Sequence, residues 1–255
     1  DDILLELGQI YTDRNEIHRA VDIYKEIDST YKQNISSGVA CVKLGEVYEK
    51  KIRDYDSSYK YYNKSVNSTA PQSLKLVASQ KTKDLNKYFQ IKKDLQSNNT
   101  KITYIKNPTV FLKDSIDYDF AYRQYNEENR RLAQDSTALQ MQRIQNSVAQ
   151  QSQKQQGKKE ASLAALIAQG RVQKPERPNI SVDSIGTLIA QNMYELGNHF
   201  FSELEAPDSA EYYLAKSIKD FPKRKGTVQA MFALATVYRS ANDTLRADSL
   251  FKNIY

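Results

Sequence analysis

The feature that most constrains this chain is a spacing that occurs four times. "LGQIY" at 7–11 returns as "LGEVY" at 44–48, "LGNHF" at 196–200 and "LATVY" at 234–238. Twelve or thirteen residues after each Gly or Ala stands a second small residue: Ala20, Ser58, Ala210 and Ala247. Four further on comes a large one: Tyr24, Tyr62, Leu214 and Phe251. The apolar positions fall at helical intervals, so each copy predicts two helices joined by a short turn. A glycine inside a helix costs about 1 kcal/mol relative to alanine. Glycine at 8, 45 and 197 therefore predicts a close crossing of paired helices, with Gly8 set against Ala20 and the packing offsetting the propensity cost.

The spacing resembles the tetratricopeptide repeat (TPR), a helix-turn-helix unit of about 34 residues. In the first copy Leu4, Leu7, Gly8, Tyr11, Ala20, Tyr24 and Ile27 occupy the family's signature positions, while Lys32 stands where proline is usual. The second and third copies carry one extra residue in the turn, and the third keeps its proline, Pro222. The fourth matches at Leu234, Ala235, Tyr238, Ala247, Phe251 and Ile254. The resemblance covers 1–71 and 186–255 and implies an all-α, TPR-like helix-turn-helix solenoid whose first helices line a concave groove. Carried over, the groove positions are Leu5, Gln9 and Thr12; Val42, Glu46 and Glu49; Tyr194, Asn198 and Phe201; and Phe232, Thr236 and Arg239. Among these, Gln9, Glu46, Tyr194, Asn198, Phe201, Phe232 and Arg239 are the expected partner-binding residues. Some members of the family grip a terminal carboxylate with Lys and Asn where Leu5 and Gln9 stand here, so that clamp is missing.

Three segments are expected: TPR-like hairpins over 1–96, a connector and long polar Gln-rich insertion over 97–182, and TPR-like repeats over 183–255. A long helix is expected from Pro71 to Ser97. "NNTKITYIKNPTVF" then predicts an extended connector, from its asparagines, Asn107-Pro108 and the alternation of Ile102, Tyr104 and Val110. Helix is expected again over 115–150, and the Gln-rich run 140–156 reads as a solvated helix or a disordered stretch. The 134–182 region is expected to be more mobile than the repeats. "ASLAALIAQGRV" at 161–172 reads as an amphipathic helix that docks on the repeats or on a partner. Asp-Ser dipeptides at 56, 183 and 208 precede apolar runs and predict helix N-caps.

Net charge is +6, but 151–178 alone supplies +4 through Lys154, Lys158, Lys159, Arg171, Lys174 and Arg177 against Glu160 and Glu176. The helical regions are thus near balance, and no nucleic-acid partner is expected. No apolar run approaches the roughly 20 residues of a membrane span. Cys41 is the single cysteine, which rules out an internal disulfide and reads as a buried structural thiol. His18 and His199 lack metal-ligand spacing, and there is no Gly-rich phosphate loop or GxSxG motif. No metal, cofactor or catalytic group is expected, and the chain does not read as an enzyme. It begins without Met inside a helical pattern, so it is expected to be a piece of a longer protein, with any signal peptide or lipid anchor outside it.

The expected function is a protein–protein interaction scaffold that binds other proteins or peptides in a multi-protein complex. "APDSAEYYLAKSIKDFPKRK" resembles the long-linker TPR proteins of bacterial cell envelopes, which include lipoproteins of outer-membrane assembly and secretion. That resemblance implies a periplasmic, outer-membrane-associated adaptor. The alternatives are the sensory or regulatory TPR region of a cytoplasmic signalling protein, and a TPR-based outer-membrane glycan-binding protein. The absence of Trp disfavours the last.

Overall fold

The computed structural model describes residues 1–145, 162–170, 172–224 and 226–254, with side chains in the helix ending at Gln145 described as far as Ala133. Most of the Gln-rich run, and most of the basic stretch after it, lies outside the described residues. Every regular element among the described residues is helical. In order they are α1 (Asp2–Asp13), α2 (Ile17–Thr30), α3 (Ile35–Val47) leading into a π turn (Tyr48–Ile52), α4 (Tyr55–Val66), α5 (Gln72–Lys106), α6 (Pro108–Gln145), α7 (Leu163–Ala168), α8 (Val182–Ser202), α9 (Pro207–Asp220), α10 (Thr227–Ser240) and α11 (Thr244–Ile254). No described helix is long and apolar enough to cross a membrane. Residues 1–99 and 183–255 form one compact unit, and 100–182 a second.

The four copies of the sequence motif become the hairpins α1–α2, α3–α4, α8–α9 and α10–α11 of the first unit. Their turns are built alike. Each carries one non-glycine residue with positive φ: Asn15, Arg53, Glu205 and Asn242. The next residue donates its N–H to a carbonyl three positions beyond the small residue of the first helix. These bonds are Glu16 to Tyr11 (2.8 Å), Asp54 to Tyr48 (2.9 Å), Ala206 to Phe200 (2.8 Å) and Asp243 to Tyr238 (2.9 Å). The bond satisfies an orphan carbonyl at the helix end. The extra residue of the second copy is taken up in the π turn, which widens the last turn of the first helix.

The helix crossing differs from expectation in its partner. A Cβ on Gly8 would lie 2.5 Å from Cε1 of Tyr24, so Gly8 faces the Tyr24 ring rather than Ala20. Likewise a Cβ on Gly45 would lie 2.6 Å from the Tyr62 ring, and one on Gly197 2.5 Å from Cγ of Leu214. The small residue therefore makes room for the large residue four positions past the second small one. Ala20, Tyr24, Ile27, Ala40 and Leu44 are wholly buried and join α1, α2 and α3 in one apolar cluster.

The first part of α5 and α8 run antiparallel within the first unit. Asn98 donates to Asn192 Oδ1 at 3.0 Å, and the His199 ring nitrogen Nε2 lies 2.7 Å from the Asp84 carbonyl. An aromatic cluster binds α4, α5, α8 and α9: Phe200 meets Tyr88 at 5.5 Å, Tyr55 at 6.0 Å and Tyr213 at 5.6 Å between ring centroids. Asp28, which caps no helix, accepts from Lys64, from Ser37 Oγ at 3.1 Å and from Cys41 Sγ at 3.3 Å. Burial and the adjacent Asp28 carboxylate push the Cys41 thiol up to about 12, which leaves it inert at neutral pH.

In the second unit, the expected extended connector is helical. No glycine or proline interrupts Gln72–Lys106, and the chain breaks only at Asn107. Pro108 then takes the first position of α6, where its missing N–H costs nothing. Tyr104 seals the corner by donating to Asp114 Oδ2 at 3.0 Å and meeting Phe111 edge-on at 5.3 Å. The α7 helix packs on α6 with Ile167 buried. The expected caps also shift: Asp54, not Asp56, caps α4 by accepting from Ser57 N–H at 3.0 Å, and Asp208 lies inside the first turn of α9.

Two measurements check these assignments. Gly8→Leu is expected to destabilise the protein by about 1–3 kcal/mol in chemical denaturation, because Tyr24 must leave its place. Gly170→Leu is not a suitable control, since Gly170 has φ +66°; Lys60→Leu on exposed α4 surface serves instead and is expected to stay within about 0.5 kcal/mol. Burial holds the His199 imidazole below its ordinary value, so the neutral ring belongs to the folded state. Its contribution is present above the unfolded value of about 6.5 and is lost as pH falls through the folded one. Melting temperature is therefore expected to fall as pH drops below the unfolded value of about 6.5, with a flatter profile in His199→Gln.

Candidate functional site

In each hairpin the residue four positions after the small one stands one helical turn further along the first helix. Those residues are Thr12, Glu49, Phe201 and Arg239. Four unlike side chains in one geometric position give four local chemistries on a common backbone.

At the third hairpin the result is an apolar cleft of about 460 Å³ between α8 and α10, lined by Tyr194, Asn198, Phe201, Val228, Gln229, Phe232, Ala233, Thr236 and Ile254. Phe232 is 59% exposed, and its ring meets Phe251 edge-on at 5.7 Å. The expected residues Tyr194, Asn198, Phe201 and Phe232 thus come together. Asn198, Gln229 and Thr236 punctuate a mostly apolar wall, a pattern that suits orientation of a partly apolar ligand.

Gln9 and Glu46 are brought together elsewhere. With Thr12, Tyr24, Lys43, Val47, Lys50 and Lys51 they line a smaller space of about 120 Å³. Lys43 approaches Glu46 at 3.4 Å, and Lys50 is engaged by Glu205 at 2.8 Å. Arg239 lines neither cavity; its guanidinium lies 5.9 Å from the centre of the Phe251 ring.

Glu49, carried over as a groove residue, is fully buried instead. Its Oε2 accepts from the Tyr62 hydroxyl at 2.8 Å and its Oε1 from Lys81 Nζ at 2.8 Å. Lys81 also donates to the Glu203 carbonyl at 3.0 Å. The carboxylate thereby ties the π turn, α4 and α5 to the end of α8. Burial, followed by the Glu49 charge, raises the Tyr62 phenol well above its ordinary value. Val42 is buried in the core, and Leu5 packs on the first apolar cluster.

Val228, Gln229, Ala233 and Ile254 were not among the expected site residues. Residues 229, 232, 233 and 236 share a helical face, so extending the register one turn either side of Phe232 finds most of them. Tyr24 was missed because the groove positions were taken from first helices alone, and Lys43 because it falls beside, not on, the carried-over positions Val42 and Glu46. Among the described residues no group of His, Cys, Asp and Glu is placed to hold a metal ion.

Lys81→Met is expected to cost about 3–5 kcal/mol, because it leaves a buried carboxylate without its cation. The pair Glu49→Gln with Lys81→Met is expected to be milder, and a double-mutant cycle in urea reads the coupling. No protein-family model matches the sequence, and no curated protein is similar to it.

Proposed function

We propose that this chain is a TPR-like scaffold that binds a protein partner through the cleft between α8 and α10. The observation that carries the reading is Phe232, a large aromatic side chain left 59% exposed beside Tyr194 and Phe201 in a concave wall. Clustered exposed aromatics on a concave surface are a common mark of recognition sites, and aromatic anchors carry much of the energy at protein interfaces. Four hairpins with one turn geometry, three of them with a glycine set against the large residue of the second helix, support the TPR-like reading. A role as an adaptor of outer-membrane assembly or secretion, in the periplasm and held at the outer membrane, follows from the resemblance of its repeats to envelope proteins of that kind.

A photo-crosslinking residue placed at Val228, on the cleft wall, is expected to capture a discrete partner in cells. Tyr194→Ala with Phe232→Ala is expected to weaken binding of that partner about tenfold or more while the melting temperature changes little. Unchanged binding by the double variant, at full occupancy of the crosslinker, would overturn the cleft as the site.

A further inference from the structure

One face of α6, in the second unit, carries an apolar ridge that no described residue covers. The opposite face is occupied. Ala121 is buried, α7 packs on the helix, and Phe111 meets Tyr104 edge-on with the Arg177 guanidinium 5.4 Å from its ring centre. At one edge Asp119 pairs with Lys174 at 3.1 Å. On the open face Leu112, Ile116 and Phe120 stand 50%, 67% and 63% exposed. Residues four apart form a ridge along a helix, and helices pack on one another through such ridges. Thr109 and Arg123 end the ridge with polar side chains. Large apolar groups gathered in this way mark a contact surface.

The charges beside the ridge select its occupant. Lys113 and Asp117 lie on one edge of it, and neither has an ion-pair partner among the described residues. They are four apart with the lysine first, the weaker order for a pair within one helix. Two copies of α6 packed antiparallel about Ile116 bring this edge against itself. Ile116 then meets Ile116, and Leu112 and Phe120 of opposite copies form a layer on either side. Lys113 stands beside Asp117 of the second copy, and the two-fold symmetry makes that pair twice. Parallel packing brings unlike edges together and sets Asp117 beside Asp119 of the second copy, two like charges.

We infer that α6 pairs antiparallel with α6 of a second copy of this chain, with Ile116 on the two-fold axis. The ridge spans roughly two helical turns. The contact is therefore at the small end of protein interfaces, and the dimer forms and separates readily. It uses no residue of the cleft between α8 and α10, so either surface is able to fail without the other. A dimer carries that cleft twice, which raises avidity for a partner that also repeats.

Sedimentation equilibrium of the whole chain is expected to show monomer at about 10 μM and a growing share of dimer toward about 1 mM. Ile116→Asp, at an exposed position, is expected to abolish the dimer and leave the melting temperature unchanged. Lys113→Glu and Asp117→Lys are each expected to weaken it about tenfold. An equal mixture of these two variants is expected to recover it, because each supplies the charge the other lacks. Under mild oxidation Ile116→Cys is expected to link to itself, whereas Leu112→Cys links to Phe120→Cys and not to itself. The native Cys41 is buried and takes no part. The inference is overturned by a dimer indifferent to Ile116→Asp, by a charge mixture no tighter than its two members, or by Leu112→Cys linking to itself as fast as Ile116→Cys. A chain that stays monomeric overturns it too, in favour of a different protein on the ridge where the Ile116→Cys thiol reacts freely with a maleimide, and in favour of cover by this chain itself where it does not.

Discussion

Gly8, Gly45 and Gly197 let Tyr24, Tyr62 and Leu214 come down onto helix backbone that carries no side chain, and the first unit depends on that approach. A Cβ at any of the three would sit within 2.6 Å of the facing side chain, closer than carbon atoms tolerate. The contact fixes how near the two helices of a hairpin lie and therefore where the turn between them must close. The shared turn bond follows from it, with one left-handed residue and one carbonyl reached from the far side. Because the large residue fills the gap, the next position along the first helix is left facing a ready-made wall, and its chemistry is free to vary.

That freedom explains why neighbouring hairpins do different things. Glu49 spends the position on internal cohesion, joining Tyr62 and Lys81 across three elements. Phe201 spends it on an apolar cleft, and Arg239 on a cation over Phe251. Thr12 turns its hydroxyl back onto the Gly8 carbonyl at 2.9 Å. A single backbone solution thus fixes the small-on-large contact and leaves the side chain one helical turn further on to vary in chemistry.

Much of the helical layout was legible because it is local. Apolar residues at helical intervals name the hairpins, and Gly, Ala and Ser at fixed spacing mark where they touch. The partner of Gly8 was misread as Ala20 because small residues on both helices suggested backbone against backbone, whereas a bare backbone also receives a ring. The connector around Ile102 and Tyr104 was read as extended from a short alternation. It is helix because Asn98 finds Asn192, and Tyr104 finds Asp114, partners that no local pattern announces. Glu49 looked like a groove residue by register. Its burial depends on Lys81, supplied by a helix that begins well after the hairpin ends. The Tyr194 and Phe232 cleft was legible for the opposite reason, since both residues face outward by simple helical geometry.

The antiparallel course of α5 and α8 has a consequence for the length of what lies between them. With Asn98 bonded to Asn192 and the Asp84 carbonyl beside His199, the first unit holds both strands of the chain at the point where it departs and returns. The entropy of closing such a loop grows only with the logarithm of its length, so each doubling adds about 0.6 kcal/mol. Natural variants of this chain are then free to lengthen or shorten residues 100–182 at small thermodynamic cost, while any substitution at Gly8, Gly45 or Gly197 meets a fixed steric limit. Divergence among relatives would accumulate as length in the one and be nearly silent in the other.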